Sequence, residues 1–237
     1  MTINMQFCNI FAFFGISLSL LLNADQQLEV LEVNTVNIMN IENHKYHHGN
    51  LRDEILTAAY NFVSENGYAA MSLRGIAENC NVSATAISRH YNTKEHLLAD
   101  VVVQGFIEFN IFVEGDSEAN IFDKCDNYLE FAFDNKNIYD LLFSQSVVEF
   151  LQFPNILEVA DSSFQTLLES VKEHDRSLND LSASNKAIHI WSFLHGISSI
   201  SKKMDVALSL PDSEMPIPVR SVKRARSNLR QFIEDLF

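Results

Sequence analysis

Between residues 51 and 102 the apolar positions recur at helical spacing. Leu51, Ile55, Ala58, Ala59, Phe62 and Val63 form one stripe, the pattern of an amphipathic helix. Gly67, after Asn66, is a natural residue to end it. Ser72 is a good N-cap for a short helix whose apolar face is Leu73, Ile76, Ala77 and Cys80. Asn79-Cys80-Asn81 makes a tight turn, and Asn81 is the residue best able to hold a left-handed backbone there. Ser83 caps the next helix, residues 84–90, with Val82, Ile87 and Tyr91 facing inward. Asn92-Thr93 breaks it, and Thr93 caps a longer helix through Leu97, Leu98, Val101 and Val102. Two short helices joined by a tight turn and braced by a longer one predict a helix-turn-helix at about 72–91. Its second helix turns Ala84, Thr85, Ser88 and Arg89 outward, the face such a motif lays in a DNA major groove.

Beyond residue 109, helical runs are predicted at about 117–135, 137–150, 155–175, 183–209 and 219–236. Pro154 and the Pro211–Pro218 stretch separate them. Only 7 Gly and 4 Pro among 237 residues favour long helices over a turn-rich β sandwich. The fold class expected is therefore all-α. A chain that is 47% hydrophobic and 20% charged can build a core and is not broadly disordered. Cys8, Cys80 and Cys125 are too scattered for a disulfide framework or a zinc knuckle, which suits a reducing, cytoplasmic setting.

The net charge of −14 speaks at first against nucleic acid, but it is unevenly placed. Residues 44–98 carry Lys45, Arg52, Arg74, Arg89 and Lys94 against five acidic groups, so that segment is neutral. Most of the acid lies beyond residue 99. A neutral head can touch DNA through a few well-placed cations but is no strong nonspecific binder. No Gly-rich phosphate loop, GxSxG or HExxH is present, so no catalytic residues, no cofactor and no metal are expected. His44, His47 and His48 form an HxxHH run without a Cys or carboxylate at ligand spacing. They read as part of an arm before the first helix.

Residues 1–43 differ from the rest. The uncharged run from Ile10 to Leu22 is shorter than the about 20 residues a membrane span needs. It has the length of a signal-peptide core, yet the first basic residue is Lys45, and a signal peptide carries Lys or Arg ahead of its core. The segment reads as a non-domain extension with the true start near Met39. A native arm and an export signal are the alternatives.

The run from Tyr46 to Leu98 resembles the DNA-binding domain of the TetR family of transcriptional regulators. The resemblance rests on an ordered set: Gly67-Tyr68, Ser72-Leu73-Arg74 with Ile76-Ala77, Val82-Ser83, Arg89-His90-Tyr91, and Lys94-Glu95 with Leu97-Leu98. Tyr46-His47-His48-Gly49-Asn50 and, later, Trp191, His195 and Gly196 resemble a subgroup with a Trp-His-Gly signature in its C-terminal domain. Two positions depart from the family, Asn81 for Gly and Ser88 for Tyr. The second removes a ring that commonly reaches a backbone phosphate.

The resemblance implies a head at 44–108 and an effector-binding and dimerisation domain at 109–237. It implies phosphate contacts from Ser72 and Arg74, base or sugar-phosphate contacts from Ser83, Ala84, Thr85 and Ser88, and backbone contacts from His90 and Lys94. It also implies a small-molecule pocket, for which Phe106, Phe109, Phe131, Trp191 and His195 are the candidates. That lining suits a hydrophobic or aromatic effector. The partners implied are a double-stranded DNA operator, the effector, and a second copy through the last two helices, with no membrane. The function implied is a ligand-responsive repressor on a palindromic operator. A helical ligand-binding protein that has lost operator binding is the alternative. Lys223, Arg224, Arg226 and Arg230 are expected to meet the acidic C-terminal domain or water rather than DNA.

Overall fold

Short polar side chains and two glycine-like turns set the helix ends of the head. The computed structural model describes residues 51–144 and 153–237. The run at 10–22, the start at Met39 and the three histidines His44, His47 and His48 lie outside the described residues. Helix α1 (Leu51–Asn66) stops at Gly67, whose φ of +77° suits a residue without Cβ. A single 3-10 turn, Tyr68–Ala70, follows. Ser72 Oγ then accepts from Gly75 N–H at 3.1 Å and opens α2 (Leu73–Asn79). Asn81 turns the chain at φ +55°, the one non-Gly residue with positive φ among the described residues. Ser83 Oγ accepts from Ala86 N–H at 3.2 Å and opens α3 (Ala84–Ser88). Thr93 does the same for His96 N–H at 3.3 Å and opens α4 (Lys94–Glu114). The caps and the left-handed Asn81 fall where the sequence places them.

Helix α3 is shorter than the expected 84–90. The N–H groups of His90 and Tyr91 both bond to the Ile87 carbonyl at 2.9 Å, which closes the last turn and releases the chain toward Thr93. Val82 is only half-buried, while Ile87 and Tyr91 are buried.

The remaining elements are α5 (Ile121–Asp134), α6 (Lys136–Leu142), α7 (Pro154–His174), α8 (Asp180–Lys203), α9 (Asp205–Leu208), α10 (Ile217–Ser227) and α11 (Leu229–Glu234). No strand occurs among the described residues. A reciprocal Asn120–Asp123 capping box moves the start of α5 to residue 121. The run expected at 137–150 gives α6, which ends at Leu142, and residues 145–152 lie outside the described residues. Pro154 does more than separate, since it occupies the first turn of α7, where its missing N–H costs nothing. The runs expected at 183–209 and 219–236 break in two. Met204 and Asn228 leave helical geometry at φ −107°, ψ 12° and φ −125°, ψ 36°.

Asn50–Phe237 pack as one unit, with α4 as its axis. Helix α4 contacts α1 of the head and α5, α6 and α7 of the remainder, and α8 closes over α5 and α7. By length and composition α4 alone among the described helices could cross a membrane. Its apolar side is instead covered, with Leu97, Val101, Val102, Phe106 and Phe109 all buried. The basic residues near the C-terminus are mostly engaged. Lys223 Nζ meets Asp212 Oδ1 at 2.6 Å, and Arg226 and Arg230 lie over the rings of Phe133 and Phe122 at 3.9 and 4.5 Å. Cation–π contact is thus added to the expected charge partners, since Arg230 also acts on the Asp126 carboxylate.

Candidate functional site

The face of α3 is defined by what anchors it. Ile87 and Tyr91 are 1% and 2% exposed, and residues two apart on a helix point roughly oppositely. Thr85 and Arg89, two residues from Ile87, are therefore outward, and they, Ala84 and Ser88 are all exposed. Tyr91 is held further by a polar clasp. Its O–H donates to Asp100 Oδ2 at 2.8 Å, and Arg52 donates to the same oxygen at 2.8 Å. Burial pushes the Tyr91 phenol up to about 12, so it stays a donor. This clasp ties the start of α1 and the end of α3 to α4. Arg52 and Asp100 are 48 residues apart, and no local spacing signals the pair.

The other head residues divide by how free they are. Ser72 and Ser83 spend their oxygens on caps. Arg74 Nε donates to Glu78 Oε1 at 3.0 Å on a strongly exposed surface. Lys94 Nζ donates to the Ala69 carbonyl at 3.3 Å, bracing the 3-10 turn. His90 is exposed, not packed. Ser88 Oγ donates back to Ala84 O at 2.9 Å, so its one proton is turned inward along the helix.

In the second half, the five residues expected around an effector join one aromatic cluster. Phe109 meets Phe131, Tyr128 and Phe143 edge-on at 5.2, 5.2 and 6.0 Å. Phe106 meets Phe143 at 5.8 Å, and Phe143 meets His195 at 5.3 Å. Trp191 stacks on His195 with planes 15° apart, as expected for residues four apart on one helix face. Phe106, Phe109 and Phe131 are buried at 1–3% exposure. They are ring-packed core, and His195 with Trp191 forms the less buried end.

A hydroxyl chain crosses this cluster. Tyr128 and Tyr139 oxygens are 2.9 Å apart, and Tyr139 Oη is 2.9 Å from His195 Nδ1. Burial holds His195 below its ordinary pKa and raises both phenols. A neutral imidazole that accepts at Nδ1 lets Tyr139 donate to it and Tyr128 donate to Tyr139. Every hydroxyl is then satisfied, and the imidazole proton sits on Nε2. Tyr128, Tyr139 and Phe143 belong to this site as much as the five named from sequence. Tyr128 and Phe131 share an inward stripe of α5, the only local signal for any of them.

Helix α6 joins the two regions. Asn137 Nδ2 donates to Ser64 O of α1 at 2.8 Å. Tyr139 reaches His195, Asp140 pairs with Lys202, and Lys136 pairs with Asp205 at 3.0 Å. Gly105 of α4 lies so close beneath that a Cβ there would be 3.0 Å from Leu142 and 3.1 Å from Ile138.

Residues 55–101 match the family described as bacterial regulatory proteins, tetR family. Residues 121–214 match a tetracyclin repressor-like C-terminal domain. The chain belongs to the TetR family. It is a helix-turn-helix transcriptional regulator. Solved structures share the TetR fold at low identity. A protein of unknown function from Rhodococcus sp. RHA1 is 21% identical with a TM-score of 0.58, covering 78% of this chain and 96% of that one. The fatty acid degradation regulator FadR from Bacillus halodurans is 16% identical with a TM-score of 0.53, covering 76% and 96%. FadR from Bacillus subtilis, solved with stearoyl-CoA, is 18% identical with a TM-score of 0.53, covering 75% and 98%. No curated protein matches the chain.

Proposed function

We propose that this TetR-family chain is a homodimeric, ligand-responsive repressor that acts in the cytoplasm by binding, not by catalysis. The observation that carries the reading is the capped α3, which presents Ala84, Thr85 and Ser88 outward over the buried Ile87 and Tyr91. Short side chains let the helix approach base edges closely. Thr85 offers one hydroxyl and a methyl, and Ala84 a methyl for thymine. Ser72, Ser83, Arg74, His90 and Lys94 surround that face as backbone contacts. To reach phosphate, Arg74 and Lys94 exchange Glu78 and the Ala69 carbonyl for the DNA.

Two such heads lie about one DNA turn apart on a palindromic operator (roughly 34–36 Å). The outer face of α8 supports a second copy as the partner. A Cβ at Gly196 would meet nothing within 4 Å, so this glycine is not packed against a helix of its own chain. Ser192 and Ile200 on the same face are exposed, as is Ile217 of α10 at 72%. An uncharged hydrophobic or aromatic effector suits the less buried Trp191 and His195 end of the cluster, over the packed Phe106, Phe109 and Phe131, with His195 Nε2–H as the donor that orients it. The effector shifts α6, and α6 transmits the shift to α1 and α4 through Asn137 and Gly105.

Thr85→Glu tests the reading, because an exposed residue can be changed without disturbing the fold. The acidic side chain is expected to abolish DNA binding while helicity and thermal stability hold. Unchanged binding would contradict the placement of α3. A second reading, a ligand-binding protein that has lost its operator, is favoured by the inward Ser88 proton and the engaged Arg74 and Lys94. It predicts no sequence-specific binding even before substitution.

A further inference from the structure

From Met215 to Ile233 the chain carries five cations and no acid, although its net charge as a whole is −14. Packing divides these cations. Arg226 and Arg230 turn onto the rings of Phe133 and Phe122, whereas Arg220, Lys223 and Arg224 are exposed. Helical spacing places Arg220, Arg224 and Ser227 on one face of α10, three and four residues apart. With Lys223, Ser221 and Asp212 they line an open groove of about 460 Å³.

The groove holds three cations against one acid, Asp212. Lys223 Nζ donates to Asp212 Oδ1 at 2.6 Å, and with Arg220 nearby the Asp212 carboxyl is held below its ordinary range. An excess of two positive charges remains. Among the described residues, none hydrogen-bonds or ion-pairs with the Arg224 guanidinium, and none accepts from the Ser227 hydroxyl.

We propose that this groove binds the diphosphate group of a small molecule, held by Arg220, Lys223 and Arg224. The site is separate from the DNA face and from the aromatic cluster. A guanidinium fork matches two phosphate oxygens, and the Lys223 ammonium adds a point charge. Arg220 and Arg224, one turn apart, take one phosphoryl group each, where a lone carboxylate would leave a positive charge over. The groove has the volume of an ordinary small-molecule site, and Ile217, 72% exposed, gives it an apolar rim for an organic group. The acid that dominates residues 99–237 repels a long polyanion and leaves a small one as the occupant.

The test titrates the full chain by calorimetry, at fixed ionic strength, with inorganic pyrophosphate and separately with ADP. Binding of either supports the proposal, and the tighter of the two tells free from esterified diphosphate. Arg224→Ala is expected to weaken binding by about tenfold, the share of a charge-assisted hydrogen bond, and Arg224→Lys should fall between. Asp212→Asn should tighten binding, because Lys223 and Arg220 are then released, a gain that a merely structural patch does not give. Arg176→Ala, at an exposed cation outside the groove, should leave affinity unchanged. Equal losses in Arg176→Ala and Arg224→Ala would overturn the proposal in favour of general attraction of anions. Affinity that falls as chain concentration drives dimer formation would overturn it by placing the groove under the second copy. A folded chain that binds neither probe would overturn it outright.

Discussion

Asn81 holds the turn of the helix-turn-helix at φ +55°, a conformation that an ordinary side chain resists by roughly 1–2 kcal/mol. Asn81→Ala is expected to lower unfolding stability by about 1 kcal/mol, whereas Asn81→Gly should hold or raise it; thermal unfolding of both variants checks this. His195 gives a second prediction at this scale. Burial lowers its folded pKa below the unfolded value near ~6.5, so the unfolded chain binds the extra proton first. Stability is full above that value and falls as pH drops from it toward the lower folded pKa. His195→Gln should flatten the slope of melting temperature against pH in that window, and an unchanged slope would contradict the buried, neutral imidazole. Ser72, Ser83, Thr93 and Asn81 were legible in the sequence because caps and turns are decided within about four residues. The Arg52–Tyr91–Asp100 clasp and the Tyr128–Tyr139–His195 chain were not. Their members are up to 48 and 56 residues apart, and only the packed fold brings them together.

Helix α6 is the element whose importance least matched its sequence signal. Seven residues long, it appeared only as the start of a longer apolar run, yet it touches α1, α4 and α5. Its close approach to α4 depends on Gly105. Gly105→Ala gains about 1 kcal/mol of helix propensity, but overpacking against Leu142 and Ile138 costs roughly 1–3 kcal/mol. The net expected is a loss of stability, and a clear gain would show that α6 yields easily. Asn137→Ala removes the donor to Ser64 O. Hydrogen exchange at the C-terminal turn of α1 should then quicken while α7 and α8 are unchanged. The periodicity also overran the breaks at Met204 and Asn228, since neither residue is a strong helix breaker. Backbone geometry, not composition, ends α8 and α10 there.

For the whole molecule, the head and the C-terminal helical domain share one long helix, and the acid lies mostly on the C-terminal side. That arrangement leaves the neutral segment 44–98 free to approach DNA while the rest of the chain is repelled, so binding should be weak on random sequence, with a shallow salt slope set by the few cations that reach phosphate. The proposed dimer is tested apart from the DNA. Gly196 faces open space within its own chain, so Gly196→Arg should leave the helical fold intact and shift sedimentation from dimer to monomer. A variant that stays dimeric would place the interface elsewhere. The central claim is sequence-specific binding through α3, and selection from a pool of random duplex DNA tests it most directly. The full chain should enrich a palindrome with half-sites about one helical turn apart, and Thr85→Glu should enrich nothing. A folded wild-type dimer that enriches no sequence would contradict the account and leave a ligand-binding protein without an operator.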